Sequence, residues 1–569
     1  RTSGQLIRSA SLEGETVNII KLSACLLLSM WVAAPIAYSG TGEETSSKKA
    51  ADVDDKRLLA AADDGANWLS YGRTYDEKRY SPLTAINDKN VAKLGLQWSA
   101  DLDTARGQEA TPIVVDGVIY ISTAWSMVKA FDAVTGRLLW SYDPQVPREK
   151  LVEVCCDAVN RGAAYHEGRV FVGTYDGRLV ALDAATGEVI WDVQTTDRDQ
   201  SYTVTGAPRI VKDKVVIGNG GAELGVRGYV SAYDQASGEM AWRFYTVPGN
   251  PADGFENPTM EMAAATWTGQ WWQFGGGGTA WDSMVFDPEL EMLYIGVGNG
   301  SPWNQAVRSP AGGDNLFLSS IVALDPDTGD YLWHYQTTPG DTWDFTATQH
   351  ILLADLEIGG ETRKVLMQAP KNGFFYVIDR QTGELISAQP YTSPITWATH
   401  VDMESGRPVE AADARKFDGK NISLPSNAGA HNWPAMSYNP ETGLVYIPTM
   451  IFPVAFLEPT EDKDRLPGQG YWNVGFDRMG NAPPKIPEAE LAAAIDRDFS
   501  GRIIAWDPVN AEIRWAQEPG RPNVGGTLST AGGLVFHGGK GTRVVATDAK
   551  TGQDLWSRDT QTGAWAPPV

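Results

Sequence analysis

The sequence predicts an all-β fold, a β-propeller, and three observations carry that expectation. A turn of the form Ala-x-Asp-x-x-Thr/Ser-Gly recurs along the chain, a tryptophan follows its glycine at a fixed distance, and the 569 residues include 59 Gly and 21 Trp. That mixture suits short strands and tight turns rather than helical bundles. The clearest copies run Ala130–Trp140, Ala181–Trp191, Ala232–Trp242 and Ala323–Trp333. Weaker copies lie at 377–383, which lacks the tryptophan, at 505–515, which has Ala511 in place of glycine, and at 546–556. In each copy the aspartate caps the turn and the glycine supplies a positive φ. Flanking runs such as Arg178–Leu182 have β character. A four-stranded sheet per repeat, its tryptophan docked on the neighbouring sheet, is the logic of a propeller. A β-solenoid or separate sandwiches could use the same turns, but neither asks for an aromatic residue at a fixed place in every repeat.

The remaining elements follow in chain order. Residues 1–39 read as a secretory signal peptide with an upstream extension: Lys21, an apolar run at 22–34, and small residues at 37–39. The run is too short to favour a membrane span. Cys25 precedes most of it, so Leu22-Ser-Ala-Cys25 does not work as a lipoprotein cleavage box. Residues 40–62 are polar and small and are expected to be a disordered lead-in. Residues 63–569 are expected to form the propeller, with its last blade incomplete. Hairpins at 286–294 and 438–446 lack the Ala/Trp frame and read as other strand pairs within blades. The stretches 396–435 and 452–488 are expected to be long surface insertions or a cap over one face, and 487–497 is the best helix candidate.

A formal charge of −24 argues against nucleic-acid binding and fits a soluble protein that meets basic partners. Outside the leader the only cysteines are the adjacent pair Cys155 and Cys156. Two neighbouring cysteines fall short of the four ligands that zinc asks for. They are either a free buried pair or a vicinal disulfide, a strained ring that persists only where its surroundings enforce it. Export to an oxidising compartment would permit the bond.

The repeat has the form of the tryptophan-docking motif of the pyrroloquinoline quinone (PQQ) dehydrogenases. With Cys155-Cys156 included, the chain resembles their methanol/ethanol dehydrogenase branch over about residues 65–569. The resemblance implies an eight-bladed β-propeller with PQQ on its axis, between a Cys155–Cys156 disulfide and Trp281 of Gly275-Gly-Gly-Gly-Thr279-Ala-Trp281. A planar quinone wants flat apolar surfaces on both faces. Around its rim the resemblance places Arg161, suited to bidentate pairing with a carboxylate, together with Glu109, Thr205, Gly221, Ala222, Thr279, Lys371, Asn432 and Trp433. It implies a metal set of Glu223, Asn299 and Asp344, all offering oxygen to a hard cation such as Ca²⁺. Lanthanide-using members carry a second Asp where this chain has Thr346, which points to Ca²⁺.

The implied reaction is oxidation of primary alcohols, and of some secondary ones, to aldehydes or ketones in the periplasm. Asp344 would be the general base, hydride would pass to PQQ with Ca²⁺ as Lewis acid, and electrons would leave to a cytochrome c. Lys371 would bind the quinone oxygens as charge builds. Methanol-specific members have Arg there, so Lys371 leans towards ethanol or broader alcohols.

The chain has no Cys-x-x-Cys-His haem motif, so haem c is not encoded in it. Quinohaemoprotein relatives append a cytochrome domain after the propeller, and a C-terminally truncated sequence is the expectation. A non-catalytic scaffold of the outer-membrane assembly type would carry neither the vicinal cysteines nor the Glu223, Asn299 and Asp344 set. A PQQ-dependent sugar or polyol dehydrogenase is a second enzymatic reading.

Overall fold

Each turn copy joins the third and fourth strands of a four-stranded antiparallel sheet. The structure is a computed structural model describing residues 50–153, 156–457, 472, 474–476, 486–518, 520, 525–539 and 541–569. The first blade is Ile113–Val115, Val118–Ser122, Val128–Asp132 and Leu138–Tyr142. In its turn Asp132 Oδ1 accepts from the Thr135 amide and hydroxyl, both at 2.8 Å. Gly136 takes φ 72°. Six further sheets of the same order begin at Ala164, Arg209, Met284, Ile351, Ser437 and Thr527. The frame-less hairpins are the first strand pairs of two of them, Met284–Asp287 with Met292–Gly296 and Ser437–Asn439 with Leu444–Ile451.

The tryptophans explain both the conserved shape of the turn and its two departures. Five of the six indoles, those of Trp140, Trp191, Trp242, Trp333 and Trp515, lie against the turn glycine of the next blade. A Cβ on Gly187 would stand 2.6 Å from Trp140, and one on Gly329 2.5 Å from Trp242. Four of these indole N–H groups donate to a carbonyl of the same turn, as Trp140 does to Ala184 O and Trp191 to Gln235 O, both at 3.0 Å, while Trp333 Nε1 has no partner among the described residues. The fifth copy has Ser387 where the others have tryptophan. The turn it faces is the one with Ala511, held left-handed at φ 54°. With no indole to meet, a methyl group fits there. Ala511→Gly is therefore expected to relieve backbone strain and raise stability by up to about 1 kcal/mol. Gly552→Ala, whose Cβ would stand 2.6 Å from Trp515, is expected to lose about 1–3 kcal/mol. Denaturant melts of the two variants check the pair.

The number of blades differs from the expected eight. Among the described residues there are seven blades, six of four strands and one of five. Between the blade ending at Asp559 and the blade beginning at Ile113, the chain over 82–112 has only the short 3₁₀ turn Val91–Lys93 and no strand. A lone segment without partner strands cannot build a sheet. The ring is closed there by tryptophans instead: Trp556 Nε1 donates to Leu94 O at 3.1 Å, and Trp98 Nε1 to Ala133 O at 3.0 Å.

The seventh blade, expected to be incomplete, carries all four of its strands, and Tyr80–Ser81 adds a fifth in parallel to Thr527–Thr530. The lead-in also differs. Residues 1–49, with the signal-peptide segment, lie outside the described residues, but 50–62 are packed rather than disordered. Val53, Leu58 and Ala61 are buried in one cluster with Tyr165 and Val170, and Asp55–Leu59 is a helical turn capped by Asp54. Three apolar residues sharing one face outweigh the polar composition of the stretch. The helix candidate is Glu488–Asp498. The first insertion carries the hairpin Ala398–Asp402 with Arg407–Glu410. No helix among the described residues is long and apolar enough to cross a membrane.

Candidate active site

Two classes of connection supply the site, and strand direction brings them to one end of the propeller. Glu109, Arg161, Thr205, Trp281 and Asn432 each lie a few residues ahead of the first strand of a blade. Glu223, Asn299 and Lys371 lie in links between second and third strands. In an antiparallel sheet the start of strand one and the end of strand two share an edge, so both sets converge. They line a cavity of about 290 Å³ together with Cys156, Gly221, Thr279, Asp344 and Trp433. Ala222 is buried beside it, in the short turn Ala222–Leu224 that presents Glu223. Cys156 is exposed and disulfide-bonded. Cys155 lies outside the described residues.

Arg161 organises one side. Its Nη1 donates to Thr205 Oγ1 at 2.8 Å, and Nη2 stands 2.9 Å from Glu109 Oε2. The guanidinium lies 4.8 Å from the Trp281 ring centre and 6.0 Å from that of Trp433. Its Nε is buried without a hydrogen-bond partner among the described residues. Burial pushes the Glu109 carboxyl above its ordinary range, and the Arg161 charge only partly offsets this.

The other side holds the oxygen donors. Glu223 Oε1 accepts from Asn299 Nδ2 and from Trp303 Nε1, each at 3.1 Å. Lys371 Nζ donates to Asp344 Oδ2 and to Asp344 O, both at 3.1 Å. Asp344 adopts φ 65°, a left-handed backbone for a residue with a side chain, of the kind that clusters at functional sites. Burial drives its carboxyl well above the ordinary value. Lys371 opposes that shift, while the charges of Glu223 and Asp341 reinforce it. Thr346, two residues on, is buried and engaged with Gln349.

These residues fit the two groups that the sequence implies. A planar acid-bearing ring would meet flat indoles and an arginine with an unused donor. Buried Asp344, half-buried Glu223 whose charge raises it, and the Asn299 amide bonded to Glu223 are electrostatically poor neighbours until a divalent cation sits among them. A Cβ at Gly221 would stand 2.3 Å from Ser201 O, and the residue has φ 108°, so only glycine fits at this point of the lining.

Sequence reasoning passed over Trp303, although it stands in the Asn299 motif, because its indole contact with Glu223 needs the fold to be seen. It also passed over the capping by Asp341, whose Oδ1 accepts from the Trp343 and Phe345 amides at 3.2 and 3.0 Å. Asp282, next to Trp281, is wholly enclosed, and burial pushes it up to about 7 against the pull of Arg161 and Arg209. A carboxyl raised in the folded state holds a proton that the unfolded chain has released. Its contribution to stability is therefore full below the unfolded pKa of 3.8 and lost as pH rises towards 7. Asp282→Asn is expected to flatten that fall, at most about 1.4 kcal/mol per pH unit, in melts of the protein between pH 4 and 7 as compared with wild type.

A family model described as the β-propeller domain of PQQ glucose/ethanol/alcohol dehydrogenases matches residues 68–389 and 414–569. The chain is 53% identical to quinohemoprotein alcohol dehydrogenase ADH-IIG of Pseudomonas putida, over 96% of this chain and 76% of that one. Its fold superposes on the solved structure of that enzyme with a TM-score of 0.87. The quinohemoprotein alcohol dehydrogenase structure from Comamonas testosteroni gives a TM-score of 0.85 at 49% identity, covering 91% of this chain and 76% of that one. A 1-butanol dehydrogenase (cytochrome c) of Thauera butanivorans is 47% identical over 89% of this chain and 72% of its own length. Matched in sequence and fold over this extent, the chain belongs to the PQQ-dependent alcohol dehydrogenases.

Proposed function

We propose that the chain oxidises primary alcohols to aldehydes, with PQQ in the axial cavity, Ca²⁺ held by Glu223, Asn299 and Asp344, and a cytochrome c as electron acceptor in the periplasm. The single observation that carries this reading is the convergence of Glu223, Asn299, Asp344, Lys371, Arg161 and Trp281 on one cavity. When bound, PQQ supplies a carbonyl centre that takes two electrons, and Ca²⁺ supplies Lewis acidity. The relatives named for a cytochrome c and for haem support the acceptor.

The chain's own residues do the rest. Arg161, braced by Thr205 and Glu109, offers its donors to a cofactor carboxylate. Trp281 and Cys156, which both line the cavity, would be the two flat walls, and Thr279, Asn432 and Trp433 would complete the rim with Gly221 and Ala222. Asp344 Oδ2 is the general base that takes the hydroxyl proton of the alcohol. Lys371, 3.1 Å from that carboxylate, keeps a positive charge beside it and stabilises negative charge that builds nearby. Trp303 and Leu224 line the same cavity and exclude water from the alcohol's apolar end. Residues 1–39 act as the export signal in this reading, and 63–569 as the catalytic propeller.

The test is reconstitution of the expressed chain with PQQ and Ca²⁺, followed by assay of primary alcohols with a dye acceptor. Turnover that needs both additions is expected. A folded protein with no activity on any alcohol overturns the proposal.

A further inference from the structure

Asp344 is carried by a short loop, Asp341–Phe345, and the cation ligand Asn299 by another, Asn299–Trp303. We propose that Arg308, with Arg415, is the positioning residue that fixes these two loops against each other. This inference rests on the functional reading above and adds a part of the machinery that does not touch the cavity.

Arg308 is fully buried. Its Nη1 donates to Pro302 O, and to Trp303 O at 2.8 Å. Its Nη2 donates to Asp341 O at 2.6 Å and to Asn315 Oδ1 at 3.2 Å. Three of the four acceptors are main-chain carbonyls, two in the ligand loop and one in the base loop. Trp303, gripped through its carbonyl, is the residue whose indole donates to Glu223. One planar, rigid fork therefore reaches Glu223 on one side and the base loop on the other, a task that a point-charge ammonium does poorly. The glycine beside Asn299 makes room for it: a Cβ at Gly300 would stand 2.2 Å from Arg308 Nη1.

Arg415 fastens the base loop from outside. It lies in the first insertion, donates to Gly340 O at 2.9 Å and to Gln305 Oε1 at 2.7 Å, and stands 4.9 Å from the Trp343 ring centre. Glu410 holds its far side at 2.6 Å. The backbone N–H of Gln305 in turn donates to Thr342 Oγ1 at 3.1 Å. The base loop is thus clamped at Asp341 and Thr342, and at Gly340 just before it, directly ahead of the left-handed Asp344. A strained backbone persists only where its surroundings over-determine it. Without the clamp the loop relaxes, and the carboxylate moves away from Asn299 and Glu223.

The two arginines make separable predictions. Arg308→Lys is expected to weaken Ca²⁺ binding by about 10–100-fold, the usual cost of losing a group that orients metal ligands. It should lower kcat while leaving the KM for alcohol near wild type, as befits a lost transition-state geometry. Gly300→Ala displaces the same guanidinium without removing it and is expected to reproduce both changes. Arg415→Ala, which loosens only the base side, is expected to lower kcat about tenfold and to weaken Ca²⁺ binding less than Arg308→Lys does, because it disturbs the loop of one ligand rather than of two.

The measurements are calorimetric titration of the PQQ-loaded protein with Ca²⁺, steady-state kinetics and thermal melting. A merely structural arginine would lower the melting temperature and leave Ca²⁺ affinity and kcat per folded molecule unchanged, and that result overturns the inference. If Arg308→Lys does not fold, Gly300→Ala decides the matter by the same readings. A wild-type chain that binds PQQ and Ca²⁺ while every variant matches it overturns this inference alone. A wild-type chain that binds neither overturns the functional reading and this inference with it.

Discussion

Asp344→Asn is expected to give a folded protein that takes up PQQ and turns over alcohol about 10²–10⁴-fold more slowly, the range lost when a positioned general base is removed. The substitution keeps the size of the side chain and its acceptor oxygen, so the contact with Lys371 survives in part. What it removes is the ability to take a proton. The backbone tolerates it, since asparagine accepts the left-handed φ of 65° found here as readily as aspartate. Burial raises the carboxyl in the free protein, and in the asparagine variant that desolvation cost disappears. The variant is therefore expected to melt no lower than wild type, by circular dichroism, even as kcat collapses. Uptake of PQQ, read from its absorbance after gel filtration, separates a lost base from a lost cofactor. Turnover kept within a few-fold of wild type would place the base elsewhere.

The parts of this molecule that were legible in the sequence are those whose physics is local. Asp132 and Gly136 announce a turn because capping and a positive φ are properties of four residues. Trp140 announces docking because its place relative to that glycine repeats. Many residues around the cavity stood in short glycine-rich motifs, and the resemblance carried by those motifs named 13 of the 21 that line it, among them Glu109, Trp281 and Trp433. Blade number was not local. Seven turn copies are visible, and whether an eighth sheet exists depends on what pairs with the segment around Leu94 and Trp98, which no spacing reveals. The packing of Val53 and Leu58 was hidden for the same reason: their partner, Tyr165, lies more than a hundred positions away. Arg308 was the hardest to see. In Gln305-Ala-Val-Arg308-Ser it looks like a solvated charge, because a sequence shows its cation and not the carbonyl oxygens that enclose it.

Glu223→Gln is expected to cost at least about 10²-fold in Ca²⁺ affinity, and to make activity that wild type shows after simple reconstitution depend on millimolar Ca²⁺. The reasoning is one of charge. The proposed ligand set has two carboxylates and an amide, and affinity for a hard divalent cation follows the number of charged ligands. Removing one of two anions therefore weakens the site far more than losing a surface ion pair. The glutamine oxygen still accepts from Trp303 Nε1, which now stands 3.1 Å from Glu223 Oε1, so the fold of the turn Ala222–Leu224 is retained. Chelation of the wild-type protein is expected to have the same end point, loss of turnover restored by added Ca²⁺. A titration of activity against free Ca²⁺ separates the cases. Wild type should saturate low, Glu223→Gln should saturate high at a similar maximum, and Asp344→Asn should stay about 10²–10⁴-fold slower at any concentration. If Glu223→Gln saturates where wild type does, the cation is held by other residues, and the cluster of Glu223, Asn299 and Asp344 is a hydrogen-bonded wall of the cavity rather than a metal site.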